Sequence, residues 1–357
     1  MAVSTIDPNG LNVGQLGGSR NAIINGAMNV NQRGLGTQTV NSTIYTTDRW
    51  QANQTAAGKY SVGNSTTAPS GFTNSFLATS LSAYSVSSTD IFFFQQNIEG
   101  YNSSHFGWGT SDAKSVVLSF YVRSSLTGTF GGCLANSAHN RSYPFSYTIS
   151  SANTWERVSV AIAGDTTGTW LTTTGIGIQV IFGLGGGSTR SGTAGSWQAS
   201  TLYTATGAVS LVGTSGATLY ITGVQLEVSD SGTASDFEHE NYTTTLQKCE
   251  RYFQRSWHGG ETGYPGQVVG VAHAADLLPC PVQFRTQMRT TPTFTFYRNG
   301  TSGTVWNVVN TFSVSVTIAQ AWYDKNGIGS LLATGGGSGP FGVNGPYGFD
   351  YDVDAEL

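Results

Sequence analysis

Between residues 115 and 226 the apolar residues fall two apart again and again. The stretches SVVLSFYV (115–122), WERVSVAI (155–162), GIGIQVIF (175–182) and ATLYITGVQL (217–226) each put apolar or aromatic side chains at every second position. A spacing of two is the period of a strand with one face in a core and the other in a different environment. Gly, Ser, Thr and Asn separate such segments, and helical periodicity is nearly absent up to residue 228. Eight or more short strands in about 200 residues, with no intervening helices, predict an antiparallel β-sandwich, most simply a jelly roll. The 47 glycines in 357 residues follow no period of three, so they read as turns and not as a fibre.

One segment breaks the pattern. From Asn241 onward, Leu246, Cys249, Tyr252, Phe253 and Trp257 recur at helical spacings, and Thr244 with Gln247 matches a capping box, so a helix of about three turns is expected to begin there. Strand-like segments then resume at 268–273, 281–284, 293–297, 304–309, 312–318 and 319–323. Pro279, Pro281 and Pro292 are expected at strand starts or edges, where a missing N–H is tolerated. The last thirty residues combine a glycine-rich loop with the acidic run DYDVDAEL. The expected organisation is mainly β: an N-terminal arm at 1–20, a lectin-like jelly-roll sandwich at 21–240, a connecting helix at 241–257 and a smaller C-terminal β domain at 258–357.

Charge narrows the function. Charged residues make up 10% of the chain and the net charge is -4, with no basic run, so no phosphate backbone is an expected partner. The N-terminus lacks the basic and apolar regions of a Sec signal, and no apolar run approaches the roughly 18 residues that span a membrane, so no membrane insertion is expected. Cys133, Cys249 and Cys280 are isolated, which predicts small buried residues and neither a disulfide framework nor a zinc site.

No catalytic constellation stands out. Asp48, Asp90, Glu99, Glu156 and Glu227 occupy strand-like contexts but form no local pair such as glycoside hydrolysis needs. The run GGGSTRSG (185–192) lacks the ending of a phosphate loop and reads as a strand connection. Asp230, Asp236 and Glu238 could supply oxygens to calcium, but solvated turn residues explain them as well. No catalytic residue, cofactor or resident metal is expected. Aromatic residues in loops remain: Tyr101, His105 and Trp108 in EGYNSSHFGWGT, Trp197, and the pair Trp257 and His258. Flat rings stack on the CH faces of sugars, so these six are the candidate glycan-binding residues, although rings in such places also cap sandwich ends and fill subunit interfaces.

Several motifs occur in a fixed order: DPNGLNVGQLGG (7–18), NAIINGAMNVNQR (21–33), YTTDRW (45–50), NIEG (97–100), GWGT (107–110), LSFYVRSS (118–125), GDTTGTW (164–170), ITGVQLEV (221–228), FEH (237–239) and LQKCERYF (246–253). Together they resemble a family of tailed-phage and prophage virion proteins of the tail-fibre, receptor-binding or carbohydrate-binding jelly-roll type. The resemblance spans about residues 5–255, is loose beyond 256, and departs at Glu240, where the family more often has a basic residue. It implies a structural protein on the particle's exterior, homotrimeric, joined to other phage proteins through its N-terminal region and able to contact host polysaccharide. It leaves open tail, baseplate or head, and a decoration or connector role without glycan affinity; a polysaccharide depolymerase is the remaining alternative. NAIINGAMNV reads as the first strand, with Ile23, Ile24, Met28 and Val30 facing the core and a turn or bulge at Asn25-Gly26. Arg33, Asp48 and Arg49 read as charges at a sheet edge, and loss of Arg49 would cost about 1 to 3 kcal/mol if that charge is buried and paired.

Overall fold

The computed structural model describes residues 19–256, 268–274, 277–298, 301–302, 304–307, 313–315, 317–334 and 346–357. They fall into two units. The first comprises Met1–Asn29, Thr37–Tyr45 and Trp50–Glu240; the second comprises Val30–Gly36, Thr46–Arg49 and Asn241–Leu357. The expected arm, Trp257 and His258 lie outside the described residues, apart from residues 19 and 20.

The first unit is an antiparallel sandwich. One six-stranded sheet runs in the order Gln38–Thr39, Tyr60–Ser65, Ser75–Ser80, Thr218–Val228, Val116–Ser124, Glu156–Ile162. The other runs Ile44–Thr47, Trp50–Gln54, Ile91–Glu99, Ile176–Gly186, Gly128–Ala135, Ser142–Ile149. Neighbours distant in sequence make this the crossed, jelly-roll kind of sandwich and not a meander. The period of two has its expected consequence: Val116, Leu118, Phe120 and Val122 enter the core on one strand, Phe92, Phe94 and Ile98 on another. At the centre Phe94 stacks on Phe182 at 5.1 Å and on Phe76 at 4.5 Å. Each such ring contributes roughly 1.5 to 3 kcal/mol by leaving water.

A second, thinner apolar layer lies on the outer face of the second sheet. Phe93, Cys133, Ala135 and Ile181 point away from the main core and are covered by Leu202, with Tyr203 alongside. The covering chain includes a short parallel pair, Ser191–Gly192 with Thr204–Ala205. Two glycines admit it: a Cβ at Gly131 or Gly183 would lie 2.5 or 2.7 Å from Thr204 Oγ1.

Residues 21–30 are not a strand. Asn25 and Met28 have φ of 57° and 59°, and residues 23–27 form turns. Gln96 takes the place of a neighbouring strand: Ile24 N–H donates to its Oε1 at 2.8 Å, and its Nε2 donates to Ile24 O at 2.7 Å. Ile23, Met28 and Val30 are buried as expected, whereas Ile24 is half-buried.

In the second unit the helix is Tyr242–Glu250, earlier and shorter than the capping-box pattern implied. Its cap is Asn241, whose side chain accepts from Thr243 N–H at 2.9 Å. The acidic run is not a tail but part of the strand Pro346–Asp354, which pairs with Phe253–Arg255, Val268–Val271, Thr293–Arg298 and Thr304–Asn307. Tyr347, Phe349, Tyr351 and Val353 alternate into the core with Leu278, Cys280 and Met288. Pro279 and Pro281 lie on the outer strand of a three-stranded sheet, beside a shift in register. All three cysteines are free and buried.

Arg33, Asp48 and Arg49 belong to this second unit and join an ion network. Arg33 donates to Asp354 at 2.8 Å and lies 3.6 Å from Glu356 and 3.9 Å from Asp48. Arg49 pairs with Glu356 and lies 3.5 Å above the Tyr252 ring. Asp48 accepts from the Gln32 backbone and side chain at 2.9 and 2.6 Å. Burial pushes Asp48 and Glu356 above the usual carboxylate range, against the pull of the neighbouring arginines. Arg49 is only 2% exposed, so loss of its charge would strand a buried carboxylate.

Candidate functional site

The sandwich offers two places where polar and aromatic groups converge. The first is at one end, where the connections at 100–115, 136–141, 163–175 and 187–203 lie. Trp108 and Trp197, both glycan-binding candidates from the sequence, meet Trp170: the three rings stand edge to face at 4.8, 5.2 and 5.3 Å. Tyr143 packs on Trp197 at 5.2 Å. Each indole N–H donates to a main-chain carbonyl, Trp108 to Lys114, Trp170 to Thr167 and Trp197 to Ala163, at 2.8, 3.0 and 2.8 Å. Arg141 holds Asp165 by two bonds of 2.7 and 2.8 Å. Rings packed on one another, with their N–H groups taken up by the backbone, tie loops together. Trp108 is buried, while Trp170 and Trp197 keep part of their surface in solvent. Tyr101 is 58% exposed and His105 is exposed, its pKa pulled below 6.5 by partial burial, with Lys114 adding to this.

The second place was not singled out from the sequence. On IFFFQQNIE (91–99), alternate residues Phe93, Gln95 and Asn97 share the outer face of the second sheet. Gln51 stands opposite Gln95 on one neighbouring strand, and Gln179 opposite Asn97 on the other. Gln95 Nε2 donates to Gln51 Oε1 at 2.9 Å and to Asn97 Oδ1 at 3.2 Å; Gln51 Nε2 donates to the Tyr45 hydroxyl at 2.8 Å. Gln95 is 6% exposed, yet its Oε1 has no hydrogen-bond partner among the described residues. A buried amide carbonyl without a donor costs about 1 to 3 kcal/mol.

Tyr203 borders this amide row, stacked on Phe93 at 5.1 Å with His139 4.3 Å from it. His139 Nε2 lies 2.8 Å from Leu202 O, which only accepts, so the proton of the neutral ring is on Nε2. The row offers amides, tyrosines and one imidazole. These groups both donate and accept, as sugar hydroxyls do, and the rings present flat apolar faces.

The acids weighed as catalytic are occupied elsewhere. Asp90 accepts from Thr55 Oγ1, the Tyr84 hydroxyl and Ser87 N–H at 2.9, 3.0 and 2.8 Å. Glu156 accepts from the backbone of Ser150 and Ser151, and Glu227 from Ser235 and Gln225. Asp48 lies in the ion network, and Glu99 is 1% exposed at a strand end. Glu238 accepts from Arg20 and Asn21 N–H at 2.8 and 3.0 Å.

No protein-family model matches the chain. No curated protein matches it either. Among solved structures it is similar to the enzymatically active domain of bacteriophage CBA120 tailspike protein 4, at 13% identity over 59% of this chain with a TM-score of 0.34. It spans 22% of that tailspike chain. It is also similar to a putative sugar binding protein from Bacteroides thetaiotaomicron, at 12% identity over 58% of this chain and all of that one, with a TM-score of 0.34. A family 11 carbohydrate-binding module from Clostridium thermocellum gives 10% identity over 57% of this chain and 99% of that one, with a TM-score of 0.29. At this level the likeness concerns the sandwich fold alone.

Proposed function

We propose that the chain is a structural component of a phage particle's exterior, a tail-fibre or receptor-binding protein whose sandwich holds host-surface glycan without cleaving it. The ordered motifs from 7 to 253 support the virion assignment. The observation that carries the glycan reading is the row of neutral amides and tyrosines on the outer face of the second sheet, Tyr45, Gln51, Gln95 and Asn97, with Tyr203 packed on Phe93 beside it. Amides and phenols both donate and accept, as a sugar hydroxyl does. The carboxylates Asp90, Glu156 and Glu227 are held as acceptors by their own surroundings, so binding is proposed without a catalytic step.

The protein is further proposed to be a homotrimer whose N-terminal region joins other virion proteins. Light scattering at micromolar concentration is expected to give three times 37.6 kDa, and a monomer would remove the trimer from this account. Glycan recognition is tested on an array of bacterial surface oligosaccharides: retention of one structural class is expected. Retention of none would leave a connector role without glycan affinity.

A further inference from the structure

The arginines of the first unit differ in one respect. Arg20 lies 4.0 Å from Glu238, Arg141 grips Asp165, Arg157 is 3.6 Å from Asp236, and Arg123 Nε donates to Asn153 O at 2.9 Å. Arg190 has no carboxylate partner and no side-chain hydrogen bond among the described residues, and its buried Nε has no acceptor. Its backbone is fixed: Arg190 N–H donates to Gly187 O at 2.9 Å, and Tyr203 N–H donates to Arg190 O at 2.9 Å. That second bond pairs the Arg190 main chain with that of Tyr203, whose ring packs on Phe93 next to the amide row. Its charge is felt there: burial raises the Tyr203 pKa and the Arg190 charge opposes that rise, while burial lowers the His139 pKa and the Arg190 charge adds to it. The sequence showed this arginine only as the sixth residue of GGGSTRSG.

A guanidinium always carries its charge and offers a planar fork of donors. Half-buried and without an acid partner among the described residues, it lacks an anion. We infer that the glycan bears an anionic substituent that Arg190 holds, with the rest of the sugar chain along Gln51, Gln95 and Asn97. A carboxylate suits the fork by two parallel bonds. The inference rests on the glycan reading above and adds the ligand's charge to it.

The test uses an array carrying uronic-acid oligosaccharides, their carboxyl-reduced counterparts, and sulfated and phosphorylated oligosaccharides, probed with the full chain and with R190Q, R190K and Q95L. The expected result is retention of acidic glycans, at least about tenfold weaker binding of the reduced counterparts, and a similar loss in R190Q with unchanged melting and partial recovery in R190K. Retention confined to sulfated or phosphorylated members, with the same loss in R190Q, supports the anion site and changes the anion. Equal binding of acidic and reduced glycans, or full acidic binding by R190Q, overturns the inference; if Q95L then binds less well than the full chain, the glycan reading survives. No retention of any glycan by the full chain overturns both.

Discussion

Buried polar groups occur in both units and are treated oppositely. In the second unit Arg33, Asp48, Arg49, Asp354 and Glu356 find opposite charges within the unit, and two aromatic rings lie under the guanidiniums. In the sandwich, Gln95 on the second sheet keeps a buried carbonyl, and Arg190, just before the parallel pair, a buried N–H, with no hydrogen-bond partner among the described residues. Removing a group from water costs free energy in either case. In the network opposite charges offset that cost, although Glu356 Oε1 also accepts no hydrogen bond; Gln95 and Arg190 have no such opposite charge among the described residues.

The contrast is sharpest where its consequence is largest. Replacing Arg49 by Met should destabilise the second unit by about 3 to 5 kcal/mol, because Glu356 keeps a buried charge with one partner fewer. Adding Glu356→Gln should recover part of that loss. Denaturant unfolding measures both, and an unchanged midpoint in the single variant would mean that the network is not a structural element. Glycan binding by the sandwich should be unaffected.

Gly183→Ala should cost about 1 to 3 kcal/mol by forcing its methyl against Thr204. Because Thr204 adjoins Tyr203, the same variant should weaken glycan binding, so a destabilised protein with full affinity would separate the covering chain from the site. Trp197→Phe should cost about 0.5 to 1.5 kcal/mol through weaker edge-to-face packing in the loop cluster and leave affinity unchanged. A loss of affinity with no loss of stability would move the site to the loop end.

The smallest effect is a pH dependence. Burial, chiefly, and the Arg190 charge depress the His139 pKa below 6.5, opposed by the Leu202 carbonyl. The unfolded chain therefore takes up the proton first. The contribution of His139 is complete above pH 6.5 and declines as pH falls toward the folded-state pKa, by no more than about 1.4 kcal/mol per unit. Thermal melts at pH 7 and 5.5 should show a decrease that His139→Asn removes; asparagine tolerates the φ of 52° at this position.

These differences also explain what the sequence disclosed. The strands at 115–122, 155–162, 175–182 and 217–226 were legible because packing enforces a period of two. DYDVDAEL obeys the same period, but its three aspartates concealed a core strand. NAIINGAMNV carried the right core residues in the wrong backbone, since the side chain that replaces its neighbouring strand, Gln96, is 72 residues from Ile24. Tyr101, His105, Trp108 and Trp197 were conspicuous as loop aromatics, yet two of the four pack with Trp170, and only coordinates reveal that closure. Gln95 was hidden for a related reason. The alternation that puts it on the outer face is visible in IFFFQQNIE, but its missing partner depends on the opposing strand and on the chain at 187–206.

The most direct measurement is a calorimetric titration of Gln95→Leu with the tightest array glycan, beside the unaltered chain. Leucine keeps the bulk and removes the carbonyl that lacks a donor. The account predicts a folded protein with a modestly lower melting temperature, because Gln51 Oε1 and Asn97 Oδ1 lose a donor, and an affinity lower by about 1 to 3 kcal/mol, or roughly five- to 150-fold. Undiminished affinity in a folded Gln95→Leu protein would contradict it.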